Sequence, residues 1–158
     1  MPEKRMTRWG IGPRIAVPSL ILSMAAWMAA AQWPGIFLVR FPEALRDAGM
    51  VLFGLGVLLW ASGAITVMRA FNRGELVTTG AFAVVRHPVY AGWISLALPG
   101  LGLFTGLWPL FAIALGGYVI FIRLIHREEE YLEERFGKVY IEYRGRVNAL
   151  LPVPRFGK

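Results

Sequence analysis

Three stretches of this chain carry no lysine, arginine, aspartate or glutamate: Ile15–Val39, Ala48–Met68 and Val89–Ile122. No other feature limits the fold so tightly. A soluble domain spreads its apolar residues at a period of about 2 or 3.6, so that each element keeps a wet face. These blocks have no such face, and in lipid a helix satisfies its own backbone groups. A helix needs about 20 apolar residues to cross the hydrocarbon core. The first two blocks fit one crossing each; the third is too long for one and suits two, as a tight hairpin. The expected fold is an all-α integral membrane protein with about four transmembrane helices, helices three and four forming the hairpin. The whole chain, 1–158, reads as a single membrane domain.

The formal charge is +7. In a chain of this kind the excess follows the positive-inside rule and attraction to anionic lipid, so membrane lipids are expected partners and nucleic acid is not. There is no cysteine. Disulfides, thiolate nucleophiles and cysteine-ligated metals are therefore excluded, and no metal site is expected.

Residues 1–14 hold Lys4, Arg5, Arg8 and Arg14. The apolar run behind them is longer than a signal-peptide core, and Trp33-Pro34-Gly35 follows it in place of a small-residue cleavage site. The expectation is a retained first helix, about Ile15 to Trp33, with Pro18 in its first turn. Helix two is expected from about Ala44 to Phe71, with Gly49, Gly54, Gly56 and Gly63 serving close helix contacts. In the loop from Asn72 to Arg86, Gly74 and Gly80 permit sharp turns. Helix three is expected to start at Pro88, with His87 near its cap, and to run to about Leu98, where Pro99-Gly100 loosens the chain. Helix four is expected from about Pro109 to His126. Leu132, Phe136, Tyr140, Tyr143 and Val147 then recur at helical spacing, which reads as an amphipathic segment on the membrane surface, broken near Gly137. Most Lys and Arg fall at the N-terminus, in the Asn72–Arg86 loop and in the tail. Both termini are accordingly assigned to the cytoplasm, for a prokaryote the inner face of the cell membrane.

An antiparallel hairpin makes neighbours of two polar clusters. One is Arg86-His87-Pro88-Val89-Tyr90, at a helix N-terminus, where unpaired N–H groups favour an anion. The other contains Arg123, His126, Glu128 and Glu129, whose carboxylates suit a cation or a proton. Phe82, Tyr90, Trp93 and Tyr118 offer aromatic faces to a cation. A zwitterionic, cationic cofactor with a carboxylate suits such a site, and S-adenosylmethionine has that character.

Taken in order, Leu76-Val77-Thr78-Thr79-Gly80, Arg86-His87-Pro88-Val89-Tyr90-Ala91-Gly92 and Glu128-Glu129 with Leu132, Phe136-Gly137, Tyr140 and Tyr143 resemble the isoprenylcysteine carboxyl methyltransferase family. The wider group includes phospholipid N-methyltransferases. The resemblance implies methyl transfer from S-adenosyl-L-methionine to a lipophilic or prenylated acceptor entering from the bilayer. It implies cofactor binding by Leu76, Val77, His87, Pro88, Val89, Tyr90 and Glu128, joined here by Phe82 and Arg86. It also implies a cofactor-binding core over 72–158, with the C-terminal segment folded over the cofactor.

Two positions depart from the family pattern. Phe82 stands where a tyrosine is common, and Leu124 stands where the prenylcysteine enzymes carry a substrate-binding arginine. Arg123 is the nearest substitute for that arginine, and Glu129 the first choice of base if the acceptor is an amine. The alternatives are a nicotinamide-dependent membrane reductase, a haem carrier ligated through His87 and His126, and a non-catalytic scaffold.

Overall fold

The computed structural model describes residues 10–152, and of Phe71 and Asn72 only the backbone. Lys4, Arg5, Arg8 and the tail from 153, including Pro154, lie outside the described residues. Among the described residues the chain is mostly helical: α1 (Gly12–Gln32), α2 (Pro34–Phe37), α3 (Glu43–Arg73), α4 (Ala81–Val84) and α5 (Pro88–Tyr90) come first. A π-helical segment (Ala91–Ala97) continues α5 into α6 (Leu98–Thr105), before α7 (Pro109–Phe136) and α8 (Lys138–Arg146). Among the described residues, four helices are long and apolar enough to cross a membrane: Gly12–Gln32, Glu43–Ala70, Pro88–Thr105 and Pro109–Phe136. Their outer faces are apolar and exposed, as at Leu20, Ile21, Met24 and Met28 on α1 and Met50, Val51, Leu55 and Leu58 on α3. Such surface is a liability in water and the expected covering for lipid contact. The chain is an all-α integral membrane protein.

Several boundaries differ from expectation. The first helix starts at Gly12 with Pro13 in its first turn, so Pro18 lies inside the helix. The hydroxyl of Ser19 donates to the Ile15 carbonyl at 2.6 Å, the back-bond to residue i−4 that serine makes within a helix. Trp93 Nε1 donates to the same hydroxyl at 3.0 Å and ties α1 to the third crossing.

The third crossing does not stop at Leu98 but runs through Pro99 to Thr105. Across the π segment the Leu98 N–H reaches the Trp93 carbonyl, one residue further back than in an α-helix. The extra residue sets the helix register. On α3, Gly49, Gly56 and Gly63 recur every seven residues and all face the third crossing. The partner glycines are Gly100 and Gly92, eight apart, the added residue being absorbed by the π segment. A Cβ built on Gly56 would lie 2.5 Å from Ala97 N, and one on Gly100 2.5 Å from Phe53 N. The two backbones are therefore in contact, as small residues allow in membranes. Gly54 faces open space and takes no part.

The fourth crossing also outruns its expected end. It continues as α7 through the acidic run to Phe136, and Gly137 (φ 55°) breaks it from α8. At the end of the bundle away from this break, the two inter-helix connections are pinned together. Val39 N donates to Gly106 O at 2.8 Å, and Trp108 Nε1 donates to Ile36 O at 2.9 Å.

Candidate functional site

Where α7 leaves the apolar layer, its polar face meets the start of the third crossing. Arg86 and His87 are buried there, 7% and 5% exposed. The Arg86 guanidinium donates to Glu129 Oε1 at 2.5 Å, to the Val147 carbonyl at 2.6 Å and to the Arg144 carbonyl at 3.0 Å. His87 Nε2 lies 3.2 Å from the same Glu129 oxygen. The backbone follows suit: Arg86 N and His87 N donate to Asn148 O and Ala149 O at 2.8 and 3.0 Å. One arginine thus fastens α7, the end of α8 and the segment beyond it to the loop before Pro88. Pro88 begins the helix, while the His87 ring makes no capping bond and turns to Glu129.

The neighbouring carboxylate is held differently. Glu128 Oε2 accepts from Tyr90 Oη at 3.0 Å and from Ile11 N, at the start of α1, at 3.4 Å. Glu129 is spent on the clamp, whereas Glu128 faces open space.

That space is a cavity of about 440 Å³, within the range of roughly 300–1,000 Å³ common for small-molecule sites. Leu76, Val77, Phe82, Arg86, His87, Pro88, Val89, Tyr90 and Glu128 all line it. Glu129 and Arg123 do not: Glu129 lies behind the wall, and Arg123 is exposed on α7 away from the cavity. Phe82 and Trp93 line it alongside Tyr90, but Tyr118 is exposed elsewhere on α7. His126 is exposed and lines no part of the cavity that His87 borders, so nothing supports a shared haem.

The apolar residues after Glu128 are covered by the protein itself. Leu132, Phe136 and Val147 pack with Phe82, Tyr140 and Tyr143, together with Leu76 and Val77. The stripe faces inward because Gly137 turns α8 back over the loop. Tyr143 Oη donates to the Phe82 carbonyl at 2.6 Å. Burial pushes the Tyr143 hydroxyl up to about 12 and raises Tyr140 further, the latter also under the charge of Glu129, so both remain O–H donors.

The cavity draws on more than 72–158. Gly12, Pro13 and Ala16 on α1 and Trp60, Ala64 and Val67 on α3 complete its apolar side. These residues carry no chemical signature in sequence, since each is ordinary in a membrane helix. Tyr131 and Arg135 border it as well, with Arg135 Nη1 donating to Tyr131 Oη at 2.7 Å.

Comparison with known proteins gives a consistent outcome. Residues 35–134 match the model of the isoprenylcysteine carboxyl methyltransferase family. Protein-S-isoprenylcysteine O-methyltransferase B of Arabidopsis thaliana is 30% identical over 119 residues, covering 68% of this chain and 59% of the relative. The Xenopus laevis and Homo sapiens proteins named protein-S-isoprenylcysteine O-methyltransferase are each 28% identical over 131 residues, covering 83% of this chain and 43% of the relative. The chain thus spans about half the length of the curated relatives it matches.

Proposed function

Since the chain belongs to the isoprenylcysteine carboxyl methyltransferase family, we propose that it is a methyltransferase, using S-adenosylmethionine to methylate the carboxylate of a lipophilic, isoprenylcysteine-like acceptor at the cytoplasmic membrane face. One observation carries the reading. Three segments, around Leu76-Val77, Arg86–Tyr90 and, much further along the chain, Glu128, line a single cavity. The fit to the cofactor rests on the donor set. Glu128 offers a carboxylate for an ammonium, the N-terminus of α1 lies beside it, and Phe82, Leu76 and Leu132 form an apolar slot for a flat base.

When bound, S-adenosylmethionine supplies an electrophilic methyl group on a sulfonium. The chain's own residues bind, orient and exclude water. Tyr90 holds Glu128 in place through its hydroxyl. Arg86 and Glu129 close the C-terminal segment over the cavity, making both positioning residues. Holding the reactants in line accounts for much of the rate in such a transfer, and a dry pocket assists the reaction of two charged partners. A carboxylate acceptor needs no base, which agrees with Glu129 being tied to Arg86 and His87. The acceptor enters from the bilayer between α1 and α3, where Ala16, Val17, Trp60 and Ala64 form an apolar wall. Arg135, on the cavity border, is better situated than Arg123 to orient its carboxylate.

The cytoplasmic assignment rests on Arg14, Arg69, Arg73 and Arg86 at the cavity end against Arg40 and Arg46 at the other. The test is incubation of the purified protein with radiolabelled S-adenosylmethionine and a prenylcysteine acceptor. Base-labile label in the acceptor is the expected result. Base-stable label in the lipid fraction, or none, contradicts a methyl ester product.

A further inference from the structure

Two tyrosines three residues apart on α8 are buried in the same cluster and differ in one respect. Tyr143 spends its hydroxyl on the Phe82 carbonyl. Tyr140 is 1% exposed, lines the cavity, and its Oη has no hydrogen-bond partner among the described residues. A buried hydroxyl left without a partner is costly, and native proteins rarely tolerate one unless something else fills the gap. Arg86 Nε is a second buried donor without a partner on the same wall. The Arg86 charge is already answered by Glu129 at 2.5 Å. The local need is therefore for an acceptor that brings no charge of its own.

We infer that Tyr140 is a ligand-contacting residue, its Oη–H donating to an acceptor atom on the adenosine half of the bound cofactor. The inference rests on the proposed function. The side chains around Tyr140 select that half. Leu76, Val77, Phe82, Leu132 and Phe136 give an apolar surround suited to a flat heterocycle, which carries uncharged acceptor nitrogens. The groups suited to the charged amino-acid half, Glu128 and the start of α1, belong to the Tyr90 side of the cavity. Tyr140 is thus the polar contact within an otherwise apolar slot, the arrangement that gives a small-molecule site its specificity.

The experiment compares the full chain in detergent with Tyr140→Phe and Tyr143→Phe, by thermal unfolding without ligand and by titration with S-adenosylhomocysteine and 5′-methylthioadenosine. Tyr140→Phe removes only an unpartnered hydroxyl, so its unfolding temperature without ligand stays level or rises. Its affinity for both ligands falls roughly tenfold, the scale of one hydrogen bond. Tyr143→Phe loses a bond within the protein and unfolds at a lower temperature. The inference is overturned if Tyr140→Phe is destabilised as Tyr143→Phe is, if its affinity is unchanged, or if only S-adenosylhomocysteine is weakened. Wild-type protein that binds neither ligand defeats the methyltransferase reading itself, and the inference with it.

Discussion

The contact of α3 with the Pro88–Thr105 crossing and the closure of α8 over the cavity use opposite means. The first is made of absences. Gly49, Gly56, Gly92 and Gly100 let two backbones touch. The second is made of a charged side chain. Arg86 spans from the loop to Glu129 and to two carbonyls at the end of α8, and a cavity is left beside it. Backbone contact gives a rigid wall that cannot hold a ligand. A polar clamp around large aromatic residues leaves space and can be placed where a ligand needs cover. The Pro88–Thr105 helix serves both, its glycine face turned to α3 and its first turn to the cavity.

The largest effect should come from filling the backbone contact. Gly56→Leu places a side chain where Ala97 N already stands at 2.5 Å, so the helices must part. Loss of the folded species in detergent size exclusion is expected; a wild-type profile would show that the contact is not close. Next is Arg86→Ala, which leaves Glu129 half-buried without its arginine. The cost is about 3–5 kcal/mol, typical of breaking a buried pair, and limited proteolysis should cut near α8 first. Glu128→Gln keeps the shape and removes the charge, so S-adenosylhomocysteine affinity should fall about tenfold or more while the unfolding temperature holds. A matching loss of stability would move Glu128 to the clamp side of the comparison. The smallest effect belongs to Gly54→Ala. Gly54 faces open space, and alanine gains about 0.5–1 kcal/mol within a helix. A fall in melting temperature at Gly54 would reveal a contact with a second copy or with lipid.

The crossings and the two polar clusters were legible because their signals are local. A charge-free block reads as a span whatever surrounds it, and Pro88 marks a helix start by its own chemistry. The glycines of α3 read correctly as packing residues except at Gly54, because period and neighbourhood are different information. The π segment was not legible. It is needed only to bring Gly92 and Gly100 into step with a partner helix, which no residue of Ala91–Ala97 announces. The inward turn of Leu132, Phe136 and Tyr140 was hidden for the same reason: an apolar stripe says that something covers it, not whether lipid or protein does. Of the adjacent glutamates, the sequence suggested chemistry for both. Only the register of α7 against Arg86 separates the one in the clamp from the one on the cavity.

Calorimetric titration of the detergent-solubilised protein with S-adenosylhomocysteine asks whether the cavity takes the proposed cofactor, with His87→Ala beside the wild type. Saturable binding at one site is expected in the wild type, weakened in His87→Ala, where the lost ring borders the cavity and steadies Glu129. No detectable heat of binding up to millimolar ligand in folded wild-type protein would contradict it.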